Sequence, residues 1–316
     1  MIEEKIGIST VYFVSEILKN GGNWFNLRKE LDFFELKNLE LNTEIPLSWT
    51  QDIKHDVNNN EIKILSLHNF CPCIENIPKG KNSFNAYLLN SLDEEERILG
   101  IKYTLRTIDF AQDFGAEAVV LHAGTIPTTP TGYEFYKFLL DYGKETKLFS
   151  KYRDSLVSTR KQNYEKYFGL LLKSLDKIVP YAEKKGVILG LETRFFPNEI
   201  PNYDEISKIL NNYNTPYFRY WHDFGHAEIL SKLGFALGQK KYFETYKNFI
   251  KGFHIHDLKG FSDHYAPGTG EIDFSILEPS KEQIFIIEVH PKEEKKVLKQ
   301  SISFVKNIIS KNFVKV

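Results

Sequence analysis

Eight short apolar runs punctuate the chain: IGIST at 6–10, NLELNTE at 38–44, ILSLHN at 64–69 and AVVLHAG at 118–124, then VILGLET at 187–193, FRYWHDF at 218–224, FHIHD at 253–257 and IFIIEVH at 284–290. The central runs are almost continuously apolar, as parallel strands covered on both faces must be. Between them the hydrophobic period lengthens to that of a helix. Residues 94–114 read as one helix, opened by a Ser91–Glu94 capping box and closed by Gly115. Residues 164–185 read as another, with Phe168, Leu171, Leu172, Leu175 and Val179 on one face before Gly186. Pro180 falls inside that segment and is expected to kink or shorten it. Helices at 204–210, 242–249 and 294–309 fill later crossovers. The alternation predicts an α/β protein, a (β/α)8 barrel in one domain spanning 1–316. Two connections are over-long, 69–93 after the third strand and 124–160 after the fourth. Leaving strand C-termini, both are expected to overhang the barrel mouth as lids or specificity elements.

The polar residues that close these runs carry the chemistry. Glu192 ends GVILGLE, Asp223 ends FRYWHD, His254 lies in GFHIHD and Glu288 ends IFIIE, at steps of 31, 31 and 34 residues. Such a step is about one strand, one helix and two loops, so each residue occupies the same point of a repeated βα unit. C-terminal strand ends converge on one mouth in a (β/α)8 barrel, which brings all four together. Three carboxylates and one imidazole suit a divalent ion, and Mn²⁺, Mg²⁺, Co²⁺ and Zn²⁺ all remain open. Taken singly, each residue reads equally well as a strand-end ion pair; four in register make the shared metal site the better reading.

Composition narrows the picture only at its edges. The 316 residues carry 41 basic and 42 acidic side chains, a formal net charge of −1, so no global field draws the chain to nucleic acid or an anionic membrane. The opening MIEEKIGIST lacks the apolar core of a secretory signal and no stretch is long and apolar enough for a span, so a cytoplasmic protein is expected. Cys71 and Cys73 are too close for an ordinary disulfide and read as reduced thiols.

The segments LHAG (121–124), LET (191–193), HDFGH (222–226), HIHD (254–257), DHYAPGTGEIDF (263–274) and IEVH (287–290) resemble the xylose-isomerase-like TIM-barrel superfamily. That group includes sugar isomerases and epimerases and the endonuclease-IV-type enzymes (AP endonuclease family 2). The likeness covers the last two-thirds of the barrel. It implies that Glu192, Asp223, His254 and Glu288 hold the metal and that Glu192 and Glu288 also exchange the substrate proton. The implied activity is a divalent-metal-dependent sugar or sugar-phosphate isomerase or epimerase. His226 and His264 match histidines that touch substrate or a second metal. His68 and His122, closing the third and fourth strands, match zinc ligands of the endonuclease-IV branch; with His226, Asp263 and His264 they nearly complete a multi-metal set. The implied alternative is a phosphodiester hydrolase acting on a nucleotide-like or abasic substrate. One departure counts against a full cluster: Ser262 stands where that pattern has aspartate two residues before the histidine, and Asp263 is adjacent instead.

Arg194 and Lys259 are the candidate substrate anion contacts, although Arg194 shares a strand face with Glu192 and is equally placed to neutralise it. Glu40 and Asp257 are candidates for orienting ligand imidazoles. Trp24, Trp49 and Trp221 suit either a wall for a sugar face or the core. The expected partner is a small sugar or phosphorylated substrate, with no membrane; charge argues against nucleic acid, and a homo-oligomer stays open.

Overall fold

A computed structural model describes residues 2–313. Eight parallel strands close a barrel: β1 (Ile6–Ser9), β2 (Asn38–Leu41), β3 (Lys63–His68), β4 (Ala118–Leu121), β5 (Ile188–Glu192), β6 (Phe218–Asp223), β7 (Ile250–Ile255) and β8 (Ile284–Ile287). Each pairs with its sequence neighbour and β8 closes on β1. The expected (β/α)8 architecture is therefore present. Around it lie α1 (Trp24–Phe34), α2 (Thr50–Asn58), α3 (Glu94–Asp113), α4 (Gly132–Tyr142), α5 (Lys147–Lys185), α6 (Tyr203–Tyr213), α7 (Phe224–Lys232), α8 (Gln239–Tyr246) and α9 (Lys295–Phe313). No helix among the described residues is long and apolar enough to cross a membrane.

The main core fills the layer between strands and helices. A smaller cluster, Leu65, Ala118, Val120, Trp221, Ile284 and Ile286, plugs the barrel itself. Trp221 is fully buried there, because two facing strand positions are glycine. A Cβ on Gly252 would sit 2.3 Å from the indole and one on Gly190 2.8 Å. Trp221 is thus a floor under the mouth. Trp24 and Trp49 pack on each other with centroids 6.2 Å apart, and the Trp24 indole N–H donates to Asp56, so none of the three tryptophans lines the mouth.

Several local readings change. Asp93, not Ser91, caps α3: its carboxylate accepts the Glu95 and Glu96 N–H groups, while Ser91 Oγ accepts from Asp93 N–H. The 124–160 connection is largely helical, containing α4 and the first turns of α5. The apolar side chains there, Phe149 on Phe135 and Tyr152 on Phe138, pack on α4, so the barrel-facing period begins only later. α5 continues through Pro180 to a left-handed Gly186 cap. Strand β4 ends at Leu121; Gly124–Thr125 pairs instead with Glu199–Ile200 as a small antiparallel ribbon joining the loops after β4 and β5.

Candidate metal centre

Register places the four candidate strand-end ligands side by side. Asp223 on β6 is the direct neighbour of His254 on β7, and Glu192 on β5 neighbours Trp221 on β6. Asp223 also caps α7. Its Oδ1 accepts the His226 N–H at 2.7 Å, which fixes the carboxylate and turns Oδ2 toward His254 Nδ1 at 3.6 Å. Around the same Nδ1 lie Glu192 Oε1 at 2.6 Å and Glu288 Oε2 at 3.1 Å. On the far side of the ring, His254 Nε2 donates to the buried Glu40 Oε2 at 3.2 Å, which also accepts from Ser66 Oγ. Glu40 therefore aims Nδ1 into the centre, the arrangement that orients metal-binding imidazoles.

The residues fit a divalent cation. One ligand atom from each of Glu192, Asp223, His254 and Glu288 lies within 4.8 Å of all the others, and all four residues are buried. Three buried carboxylates meeting at one imidazole carry surplus negative charge that a cation would balance. Burial alone would lower the His254 pKa, but Glu288, Glu40 and Glu192 outweigh it and hold the ring well above its usual value. A cation entering here must therefore displace a proton from His254. Burial would raise Glu192, but His122, Arg194 and His254 hold it well below the carboxylate range. Glu288 is likewise held low against burial, by His254 and His264.

Two flanking clusters reach this centre. On one side are His68 and His122, the latter with Nε2 2.7 Å from Glu192 Oε2. On the other are His226, His256 and His264. His256 is not free to bind a cation: its Nδ1 accepts the His264 backbone N–H at 3.0 Å, so its proton is on Nε2 and is donated to Asp223 at 3.0 Å. Gly225 makes that reach possible, since a Cβ there would fall 2.0 Å from the His256 ring. Asp263 takes the vacant role despite its shifted position, with Oδ2 3.5 Å from His226 Nε2 and 3.1 Å from His264 Nδ1. His226 Nδ1 donates to Thr193 O at 2.9 Å. Burial opposes its ionisation, yet Asp223, Asp263 and Glu192 raise its pKa to about 9.

The centre opens into a cavity of about 620 Å³. Both long connections line it, through Phe84, Asn85, Thr128 and Tyr133 among others, as expected of segments leaving β3 and β4. Phe195 and Phe196, directly after the Glu192 segment, complete an aromatic wall that the tryptophans had been candidates for. Arg194 lines the cavity, but its Nη1 donates to Glu192 at 2.6 Å and its Nε and Nη2 donate to Glu199. The structure does not bring Lys259 to the mouth. By that residue the chain has left the barrel for a two-stranded ribbon (Asp257–Lys259 with Ser262–Tyr265), where the exposed ammonium lies 4.4 Å from the Tyr265 ring centroid. Asp257 does not orient an imidazole either. Its Oδ1 accepts the N–H groups of Leu258 and Ile272, and its Oδ2 those of Gly268 and Gly270. It is the clasp of the PGTGEID turn. No sequence signal separated that role from a ligand-orienting one.

A family profile described as xylose isomerase-like TIM barrel matches residues 30–308. The chain belongs to this family. Among curated sequences, MJ1188 of Methanocaldococcus jannaschii, itself uncharacterised, is 25% identical over 286 residues, covering 86% of this chain and 81% of that one. Among family-like folds of known structure, a D-tagatose 3-epimerase-like protein superposes with a TM-score of 0.68 at 19% identity, covering 98% of this chain and 99% of the other. The IolI protein with a bound zinc atom gives 0.60 at 17% identity, covering 98% and 99%.

Proposed function

We infer that this family member is a divalent-metal-dependent isomerase or epimerase of a sugar or sugar phosphate. The observation that carries the reading is the pairing of Glu192 Oε1 and Glu288 Oε2 around one ligand point, 2.6 and 3.1 Å from His254 Nδ1, at the base of an aromatic-walled cavity. When bound, a divalent cation supplies Lewis-acid polarisation of the substrate's carbonyl and hydroxyl oxygens. The protein's own part is proton transfer. One ionised glutamate removes the proton beside the carbonyl and the other returns one to the same or the neighbouring carbon. Their depressed pKa values keep both glutamates ionised at neutral pH. Phe84, Phe195, Phe196 and Tyr133 provide an apolar surface for the C–H face of a sugar ring or chain. His226, Asp263, His264 and His290 line the same cavity and offer polar partners for hydroxyl groups. The likeness to a D-tagatose 3-epimerase-like protein supports this chemistry, and the zinc in IolI supports a cation at the centre.

A second reading, multi-metal phosphodiester hydrolysis, draws on the two flanking clusters. His68, His122 and Glu192 on one side, and His226, Asp263 and His264 on the other, could each hold a further ion. In-line phosphoryl displacement uses such paired cations. The two readings part on one experiment: incubate the metal-loaded protein in D₂O with a panel of ketoses, aldoses and their phosphates, and in parallel with an activated phosphodiester. Deuterium entering a carbon-bound position of at least one sugar is the expected result. Diester cleavage with no sugar exchange would transfer the assignment to the hydrolase.

A further inference from the structure

We propose that Arg194 occupies the place of a second cation beside Glu192, keeping metal out of the His68–His122 side of the mouth. The proposal rests on the metal centre inferred above but makes a separate claim about stoichiometry.

Glu192 divides its two oxygens. Oε1 faces His254 Nδ1 and the main centre at 2.6 Å. Oε2 lies 2.7 Å from His122 Nε2 and accepts from Arg194 Nη1 at 2.6 Å. The guanidinium hydrogen bond uses one lone pair of that oxygen, and the His122 ring lies against the other. Yet His68, His122 and Glu192 converge closely enough to hold an ion by themselves, each offering an atom within 4.8 Å of the others. His68 is also turned correctly: Nδ1 donates to the Asn69 carbonyl, leaving Nε2 directed at Glu192 Oε2, 3.8 Å away. The ligand set is complete, but the oxygen that a second ion would share is the one the guanidinium holds.

Arg194 cannot yield by losing a proton, because a guanidinium stays charged at any ordinary pH. Nor is it free to swing away. Glu199 Oε1 accepts from both Nε and Nη2, at 3.2 and 3.0 Å. Glu199 is itself pinned: Oε2 accepts the Phe196 N–H at 2.8 Å, its carbonyl accepts from Arg160 Nη2 at 2.9 Å, and its backbone pairs with Thr125. The side chain of Arg194 is 7% exposed, so water screens its charge poorly. A divalent ion bound to Oε2 would therefore meet a fixed, buried positive charge at the same atom.

The test is metal counting. Wild-type protein and Arg194→Ala are loaded with Zn²⁺, freed of excess and analysed for zinc per chain. Arg194→Ala is expected to hold one more ion than the wild type, and the double variant Arg194→Ala/His122→Ala to lose it again. Equal zinc content in wild type and Arg194→Ala overturns the proposal. Anomalous diffraction from zinc-soaked wild-type crystals gives an answer that needs no variant to fold: no ion between His68 and His122 supports the proposal, and an ion there overturns it. Neither measurement depends on sugar exchange, so the isomerase assignment stands or falls on its own experiment.

Discussion

Replacing either Glu192 or Glu288 by Gln is expected to lower proton exchange between sugar and solvent by about a thousandfold or more at saturating metal. General acid–base groups typically contribute 10² to 10⁴-fold. Glutamine keeps the shape and one ligand oxygen but cannot accept a proton. The two variants should also differ in kind. Glu192 has Arg194 and His122 on its second oxygen, so its amide would place an NH₂ near two donors or turn it toward the centre. Glu288 has weaker neighbours, His254 at 3.1 Å and His264 at 3.5 Å. Glu192→Gln is therefore expected to weaken metal binding more than Glu288→Gln. Deuterium uptake followed by NMR, with metal affinity measured alongside, checks both points. Exchange within tenfold of wild type in both variants would remove the glutamates from the mechanism.

The second large effect is on stability. Asp257→Asn is expected to cost about 2–6 kcal/mol, since leaving a buried donor unsatisfied costs about 1–3 kcal/mol and two are stranded. The fully buried carboxylate accepts four backbone N–H groups, two on each oxygen. An asparagine oxygen can serve one pair, but its NH₂ then faces the other two N–H groups as a third donor. Gly270 leaves no slack, because a Cβ there would lie 2.5 Å from Asp257 Oδ1 and 2.3 Å from the Leu258 carbonyl. Denaturant unfolding of the variant reads the loss directly. A change below about 0.5 kcal/mol, the range of ordinary surface substitutions, would mean that the PGTGEID turn holds itself.

The convergence of the four candidate ligands was legible in sequence for a geometric reason. Glu192, Asp223, His254 and Glu288 each close an apolar run one βα unit apart, and a closed parallel barrel turns that repeat into convergence. The first half of α5 was hidden because its apolar side chains answer to α4 rather than to the barrel. Lys259 follows HIHD in sequence, but only the antiparallel pairing of 257–259 with 262–265 shows that its side chain lies outside the cavity, while Asp263 and His264 on the returning strand line it. The strand alternation did put Arg194 on the face of Glu192. What it could not supply was Glu199, brought there by the long-range pairing of 124–125 with 199–200. Trp221 illustrates the same limit: composition marks it as either wall or core, and the choice depends on Gly190 and Gly252, which lie on the strands either side of it. Asp263 was misaligned with the hydrolase pattern by one residue, yet the backbone brings its carboxylate between His226 and His264, where the left-handed φ of 56° at His264 accompanies the shift.

The most direct test of the account is anomalous diffraction from crystals loaded with Mn²⁺ or Zn²⁺, read at the C-terminal end of the barrel. An ion coordinated jointly by Glu192, Asp223, His254 and Glu288, with the His254 ring still held by Glu40, is the predicted result. The same four side chains left paired with one another and no ion among them, at millimolar metal and neutral pH, would contradict it.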